Sequence, residues 1–142
     1  MFTPTILRFD SLDSTNLEAM RQAKAGAAEG LCIIGREQTR GRGRLDRSWH
    51  SPKDAGLYFS IVLRPAFATS CWPLISLAAA LAVSDALARA GELAIDIKWP
   101  NDIFVGERKL GGILAETVET SGGTAVVLGI GINVIAESIH PA

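Results

Sequence analysis

The sequence predicts an α+β domain, with a mixed and largely antiparallel sheet and helices packed on one face. Three observations carry that reading: a strand–helix–strand order at the start, an Ala- and Leu-rich helical segment in the middle, and strand-like runs joined by short glycine turns at the end.

In chain order, Thr5 to Phe9 reads as a short strand. Ser14-Thr15-Asn16-Leu17-Glu18 then supplies helix-capping side chains, with Thr15 and Glu18 at the spacing of a capping box, and the helix runs to about Lys24 before Gly26 stops it. Leu31 to Gly35 is apolar enough for a buried strand. Residues 36–53 are rich in Arg and Gly without apolar periodicity and form a long loop, after which Leu57 to Leu63 resumes as a strand ended by Pro65. The segment from Pro73 to Ala90 is apolar nearly all round, with Pro73 in its first turn and Gly91 just past its end, which predicts a helix packed inside the domain and backing the sheet. A meander follows: Ala94 to Trp99, Ile103 to Val105, Lys109 to Thr117 and Ala125 to Val134, reversed at Gly106-Glu107 and Ser121-Gly122-Gly123. Period-two geometry in its first strand puts Ile95, Ile97 and Trp99 on one face and sends Asp96 and Lys98 to the other, away from the core.

The bulk numbers exclude several classes. At 142 residues, 48% hydrophobic and 20% charged with a net charge of -1, the chain is neither disordered nor a general nucleic-acid binder, so any basic surface is local. One domain spanning 1–142 is expected, since there is no internal repeat, low-complexity tract or linker. Met1 to Asp10 carries Arg8 and Asp10 and lacks the apolar stretch of a secretory signal, which predicts a cytoplasmic protein. The most apolar run, Cys71 to Val83, falls short of the roughly 20 residues needed to cross a bilayer, so no membrane association is expected. Cys32 and Cys71 sit in apolar surroundings without CxxC spacing and read as buried thiols. His50 and His140 are too far apart to suggest a metal site, and no metal is assigned to protein ligands.

Four motifs carry chemistry. Gly41-Arg42-Gly43-Arg44-Leu45-Asp46-Arg47-Ser48-Trp49 lies in a loop whose residues 36–47 hold five of the fourteen Lys and Arg. Such crowding costs stability unless an anion is bound; the glycines open backbone N–H groups, and the arginines take phosphate or carboxylate oxygens in pairs. The same segment alone is also compatible with a solvated or nucleic-acid-binding loop. Lys98-Trp99-Pro100-Asn101-Asp102 delivers a lysine from a strand into a turn that any hairpin could use. In Lys109-Leu110-Gly111-Gly112-Ile113-Leu114 and Gly129-Ile130-Gly131-Ile132-Asn133, glycines stand inside strands, which marks either bulges or the close approach of a ligand.

Taken together, in this order and spacing, these motifs closely resemble the catalytic domain of biotin protein ligases, with the signatures GRGRxxRxW, KWPND, KLxGIL and GIGIN and the Ser14-Thr15-Asn16 helix start. The resemblance runs from about residue 8 to residue 134. It implies a class II synthetase-like fold and an enzyme that uses ATP and Mg²⁺ to form biotinyl-AMP, then joins biotin to a lysine of a carboxylase's biotin carrier protein. By the same resemblance, biotin would be held by Ser14, Thr15, Asn16, Gln38, Gly41, Arg42, Arg44, Lys98, Gly111 and Gly112. ATP would be held by Arg44, Trp49, Asn101, Lys109 and Asn133, with Lys98, Arg42 and Arg44 as the catalytic cations. Gly129 and Gly131, like Gly111 and Gly112, would give the ligand room.

One departure stands inside the first motif: Leu45-Asp46 replaces the Arg-Gly of many relatives, and Asp46 is expected to pair with Arg44 or Arg47. The chain also begins at the catalytic domain without the helix-turn-helix of the repressor members. It ends nine residues after Asn133, before the small β-barrel that usually follows, which leaves a catalytically incomplete biotin-binding or regulatory domain as an alternative. A lipoate or octanoate ligase of the related family is the other alternative, although its triple-glycine signature is missing. Many relatives dimerise, so the resemblance allows a homodimer here, while the sequence leaves the oligomeric state open.

Overall fold

The computed structural model describes residues 3–135. In chain order its elements are β1 (Thr5–Phe9), α1 (Thr15–Lys24), β2 (Leu31–Gly35), β3 (Gly56–Leu63), a 3-10 turn (Thr69–Cys71), α2 (Leu74–Gly91), β4 (Asp96–Lys98), β5 (Asp102–Val105), β6 (Arg108–Thr120) and β7 (Gly123–Asn133). The strands form one sheet in the order β1-β2-β3-β7-β6-β5-β4. Only β1 and β2 run parallel, joined through α1 as a parallel pair requires; every other pair is antiparallel. The predicted mixed sheet is therefore present; β1 and β2 have the expected bounds, and the other strands differ from expectation by at most three residues at either end.

The placement of the helices differs from expectation. Even-numbered residues of β6 and odd-numbered residues of β7 face α1, where Ala19 and Ala23 pack on Leu31, Ile33, Val62, Val118, Ala125 and Val127. Residues of opposite parity face α2, where Ala79 and Ala80 pack on Ile103, Ile113, Leu128, Ile130 and Ile132. The helices thus cover opposite faces. The cause is legible in β7: both parities of Ala125 to Ile130 are buried, and a strand buried on both sides needs cover on both.

Helix α1 begins at Ser14, not at the Thr15–Glu18 box. The Ser14 backbone is extended, and its Oγ accepts the Leu17 N–H at 3.4 Å. At the other end Gly26, at φ +97°, lets Ala27 N–H reach Gln22 O and Gly26 N–H reach Ala23 O, a left-handed cap that satisfies the last carbonyls. Helix α2 is not the fully enclosed helix expected. Only Ala79 and Ala80 are buried, while Leu74 and Leu81 are 60% and 57% exposed. By length and composition it would also suffice to span a bilayer, yet its Ala79/Ala80 side is matched to the sheet. Trp99, expected beside Ile95 and Ile97, is exposed, because β4 stops at Lys98 and alternation stops with it. Of the two thiols, Cys32 is buried as expected and Cys71 is exposed in the 3-10 turn.

Candidate active site

The pocket begins where β6 and β7 lose their side chains. On the α1 face, Gly112 of β6 lies level with Gly131 of β7, and Gly129 lies opposite Ser60 of β3. A β-carbon on Gly131 would come within 2.6 Å of Trp49 Nε1, and one on Gly112 within 3.1 Å of Trp49 Cζ3, so the bare backbone is what lets the indole lie against the sheet. On Gly129 a β-carbon would collide with the Asn16 carboxamide.

One wall is the start of α1. Thr15 N–H donates to Gln38 Oε1 at 2.8 Å, Gln38 Nε2 donates to Ser51 Oγ at 2.8 Å, and the Ser51 hydroxyl donates to Trp49 O at 3.2 Å. Behind Thr15 stands Ser60, fully buried, with its Oγ 2.7 Å from Thr15 Oγ1 and 2.6 Å from Asn16 Oδ1. Asn16 Nδ2 donates to Glu116 Oε2 at 2.8 Å.

The roof is the arginine loop, and it carries its own hairpin. Trp49 N–H donates to Gly41 O, Gly43 N–H to Arg47 O and Arg47 N–H to Arg44 O, with Arg36 clamped between Asp10 and Asp54 at the loop's base. Leu45 and Asp46 fill the tip at φ 54° and 58°, a turn in which both central residues are left-handed. Asp46 forms no ion pair with Arg44 or Arg47 among the described residues, contrary to expectation. Arg44 reaches instead to Asn101 Oδ1 at 3.4 Å, and Arg42 pairs with Glu116 at 2.9 Å.

At the far end Lys109 Nζ lies 2.8 Å from Asp102 and 5.3 Å above the Trp49 ring, while Asn101 Nδ2 donates to Ile113 O. Two buried polar atoms here have no partner, Trp49 Nε1 and Asn133 Oδ1. A buried unpaired group costs about 1–3 kcal/mol, so a free donor and a free acceptor mark a place for a ligand that offers both. The cavity measures about 170 Å³, below the roughly 300 Å³ at which ligand pockets usually start, and Trp49 and Arg42 are among the residues that line it.

Of the residues singled out in the sequence, Ser14, Thr15, Asn16, Gln38, Arg42, Arg44, Trp49, Asn101, Lys109 and Gly112 line this cavity. Four others do not. Gly41 is buried beneath Trp49 O and Ser51 Oγ, where it shapes the loop. Gly111 faces the α2 side, against Ile132, because it is one residue out of phase with Gly112. Asn133 sits at the margin and donates to Lys109 O. Lys98 shares the face of Asp102, its partner in β4–β5 pairing, but its amine lies 5.5 Å over the Phe104 ring. Ser60 and Glu116 were missed, and each had a signal: a lone polar residue alternating with Tyr58 and Val62, and a lone charge alternating with Gly112, Leu114 and Val118 on an otherwise apolar face.

A mixed sheet with a hydroxyl- and amide-lined cleft roofed by arginines sets donors and acceptors suited to a small polar molecule beside cations suited to an anion. Residues 8–133 match the Biotin/lipoate A/B protein ligase family, and the chain belongs to that family. It is 40% identical to the bifunctional ligase/repressor BirA of Bacillus subtilis over 91% of its own length and 40% of that protein's. It is 42% identical to the biotin--[acetyl-CoA-carboxylase] ligase of Paracoccus denitrificans over 85% of its own length and 51% of that protein's. Among solved structures, the biotin protein ligase from Aquifex aeolicus in complex with biotin and ATP superposes with a TM-score of 0.79 at 34% identity, covering 96% of this chain and 55% of that one. The chain thus spans about half the length of the relatives it matches.

Proposed function

We propose that this chain carries the adenylating centre of a biotin protein ligase, which joins biotin to ATP as biotinyl-AMP and passes the biotin to a carrier lysine of a carboxylase. The observation that carries the reading is the convergence of Thr15, Gln38, Arg42, Arg44 and Lys109 on one cavity. Amide and hydroxyl groups at the α1 end suit the ureido ring of biotin, which offers donors and an acceptor. The unpaired Trp49 Nε1 and Asn133 Oδ1 suit a purine edge.

Adenylation brings a carboxylate to the α-phosphate of ATP. Two unit anions about 3.5 Å apart repel by roughly 4–5 kcal/mol at an effective dielectric near 20, over three powers of ten in rate. Fixed cations remove that penalty and stabilise the charge that builds on phosphorus. Arg42 and Arg44, which line the cavity from the roof, are the cations we assign to this work. Lys98 completes the set by swinging its flexible stem from Phe104 toward Asn101 when the ligands enter. Magnesium supplied with the nucleotide would neutralise charge on the departing pyrophosphate; among the described residues no group of three His, Cys, Asp or Glu is gathered to hold it. Transfer needs no covalent enzyme intermediate; the roof shields the mixed anhydride from water until the carrier amine attacks.

A cytoplasmic location, a single folding unit and pairing of two chains belong to the same proposal, the last testable by sedimentation. The chemical test is biotin-dependent exchange of labelled pyrophosphate into ATP. Exchange by the wild type that falls at least a hundredfold in Arg42→Ala and Lys98→Ala is expected. No exchange by the wild type defeats the reading, and near wild-type exchange by Lys98→Ala removes that lysine from the mechanism.

A further inference from the structure

Glu116 stands on β6 facing α1, and both of its oxygens are taken: one by Arg42 at 2.9 Å, the other by Asn16 Nδ2 at 2.8 Å. Resting on the function proposed above, we propose that Glu116 is a positioning residue that sets the direction of hydrogen bonding along the pocket wall and seats Arg42 over it.

The argument is one of donors and acceptors. An ionised carboxylate only accepts, as does the Leu114 carbonyl 3.3 Å from Asn16 Nδ2, so the Asn16 carboxamide turns its NH₂ toward Glu116 and Leu114 and its carbonyl toward Ser60, 2.6 Å away. Ser60 owns a single hydroxyl hydrogen. Committed to Asn16, it leaves Ser60 able only to accept from Thr15, whose Oγ1 is 2.7 Å off. The Thr15 hydrogen is thereby drawn inward, and a lone pair of its oxygen is left for the cavity. Gln38 Oε1 receives Thr15 N–H and is also 3.1 Å from Thr15 Oγ1, a longer approach than the 2.7 Å from Thr15 Oγ1 to Ser60, while the Gln38 amide donates to Ser51. The wall therefore presents acceptors at Thr15 and Gln38, the pattern a cyclic urea with two N–H groups requires. Reversing the Asn16 amide would reverse the chain.

The second oxygen of Glu116 ties this wall to the roof. Arg42 pairs with it from the loop hairpin, and Trp49, at the hairpin's other end, is reached through Thr15, Gln38 and Ser51. One carboxylate thus couples head-group recognition to closure of the roof.

The test compares the wild type with Glu116→Gln and Glu116→Asp, using biotin titration, ATP titration, trypsin cleavage of the ligand-free protein and thermal melting. In Glu116→Gln, the biotin Kd is expected to rise about tenfold, with ATP binding unchanged. Cleavage after Arg42 and Arg44 should become several-fold faster at an unaltered Tm, and Glu116→Asp should recover part of both effects. Unchanged biotin affinity and cleavage in Glu116→Gln overturn the inference, as does a parallel loss of both ligands with a lowered Tm, which marks a merely structural role. A wild type that binds no biotin defeats the ligase reading and the recognition half of this inference with it. The cleavage comparison then decides whether Glu116 seats Arg42.

Discussion

At the scale of single residues, the least expected feature is the tip of the arginine loop. Leu45 is a bulky residue at φ 54° and 82% exposed, so it bears the cost of a left-handed backbone, about 1–2 kcal/mol, with no burial to offset it. Glycine adopts the same conformation freely but loses more entropy on folding, by roughly 0.5–1 kcal/mol. The balance favours glycine, and Leu45→Gly is expected to leave the Tm unchanged or raise it by about 2 °C in a thermal melt; a fall of several degrees would show that the Leu45 side chain is held by something else. The sequence announced that this position departs from relatives but not that two successive residues are left-handed, since neither Leu nor Asp signals such a turn as glycine does. Ser60 and Glu116 were hidden for another reason. A single polar residue inside an apolar alternation looks like tolerance of a half-exposed position until its partners, which lie more than forty residues away, are brought beside it.

Among the elements, β6 and β7 show how a strand makes room for a ligand, and α1 how a helix start is fixed in place. In Gly131→Ala the new methyl would sit within 2.7 Å of Trp49 Nε1 and Cε2, and the indole must lift. Because Trp49 lies at the far end from Thr15 and Gln38, ATP binding is expected to weaken at least tenfold while the biotin Kd changes less than threefold, read by titration with each ligand separately; equal losses would place the two ligands differently. At the start of α1, Arg21 contacts Asp13 at 2.7 Å and Glu18 at 2.8 Å. Its guanidinium is the main cause holding the Asp13 carboxyl below the ordinary 3.8. Glu18 lies below its ordinary 4.5 first through the Gln22 amide and then through Arg21. Lowered carboxyl pKa values stabilise the fold above the unfolded-state values, and that contribution is lost as pH falls through the folded ones. Stability should therefore decline as pH drops below about 4.5, and Arg21→Met should flatten that decline in melts taken between about pH 5 and 3. An identical slope in the variant would show that other groups govern the acid limb. These elements were legible because period and punctuation suffice: glycine at 26 ended α1, and paired glycines marked the strands. The helix start at Ser14-Thr15 was legible too, but both residues fit the capping position and only the backbone turn selects Ser14.

For the whole molecule, sheet order and the side on which each helix lies were beyond reach of the sequence, because burial of β7 on both faces appears as a continuous apolar run without stating what covers it. Opposite placement of α1 and α2 has a functional consequence. The face under α1 is covered only partway along, and beyond the helix start the glycines of β6 and β7 form a floor that, among the described residues, the arginine loop roofs. Closure therefore depends on a hairpin held by its own backbone bonds, by Arg36 at its base, and by Arg42–Glu116 and Arg44–Asn101 at its edge. The Arg44–Asn101 contact is exposed and the Arg42–Glu116 pair half-exposed, and such surface contacts contribute about 1 kcal/mol each, so the hairpin opens at modest cost to admit ligands that a cavity of 170 Å³ does not accommodate. A carboxylate and a triphosphate beneath it would replace those weak contacts with several charge-assisted bonds to Arg42, Arg44 and Arg47. Trypsin should accordingly cut the free protein after these arginines, and biotin with MgATP should suppress the cuts at least tenfold, whereas either ligand alone should protect less. Cleavage at equal rates with and without both ligands would mean that the roof does not close on them, and shielding of the mixed anhydride would have to come from elsewhere.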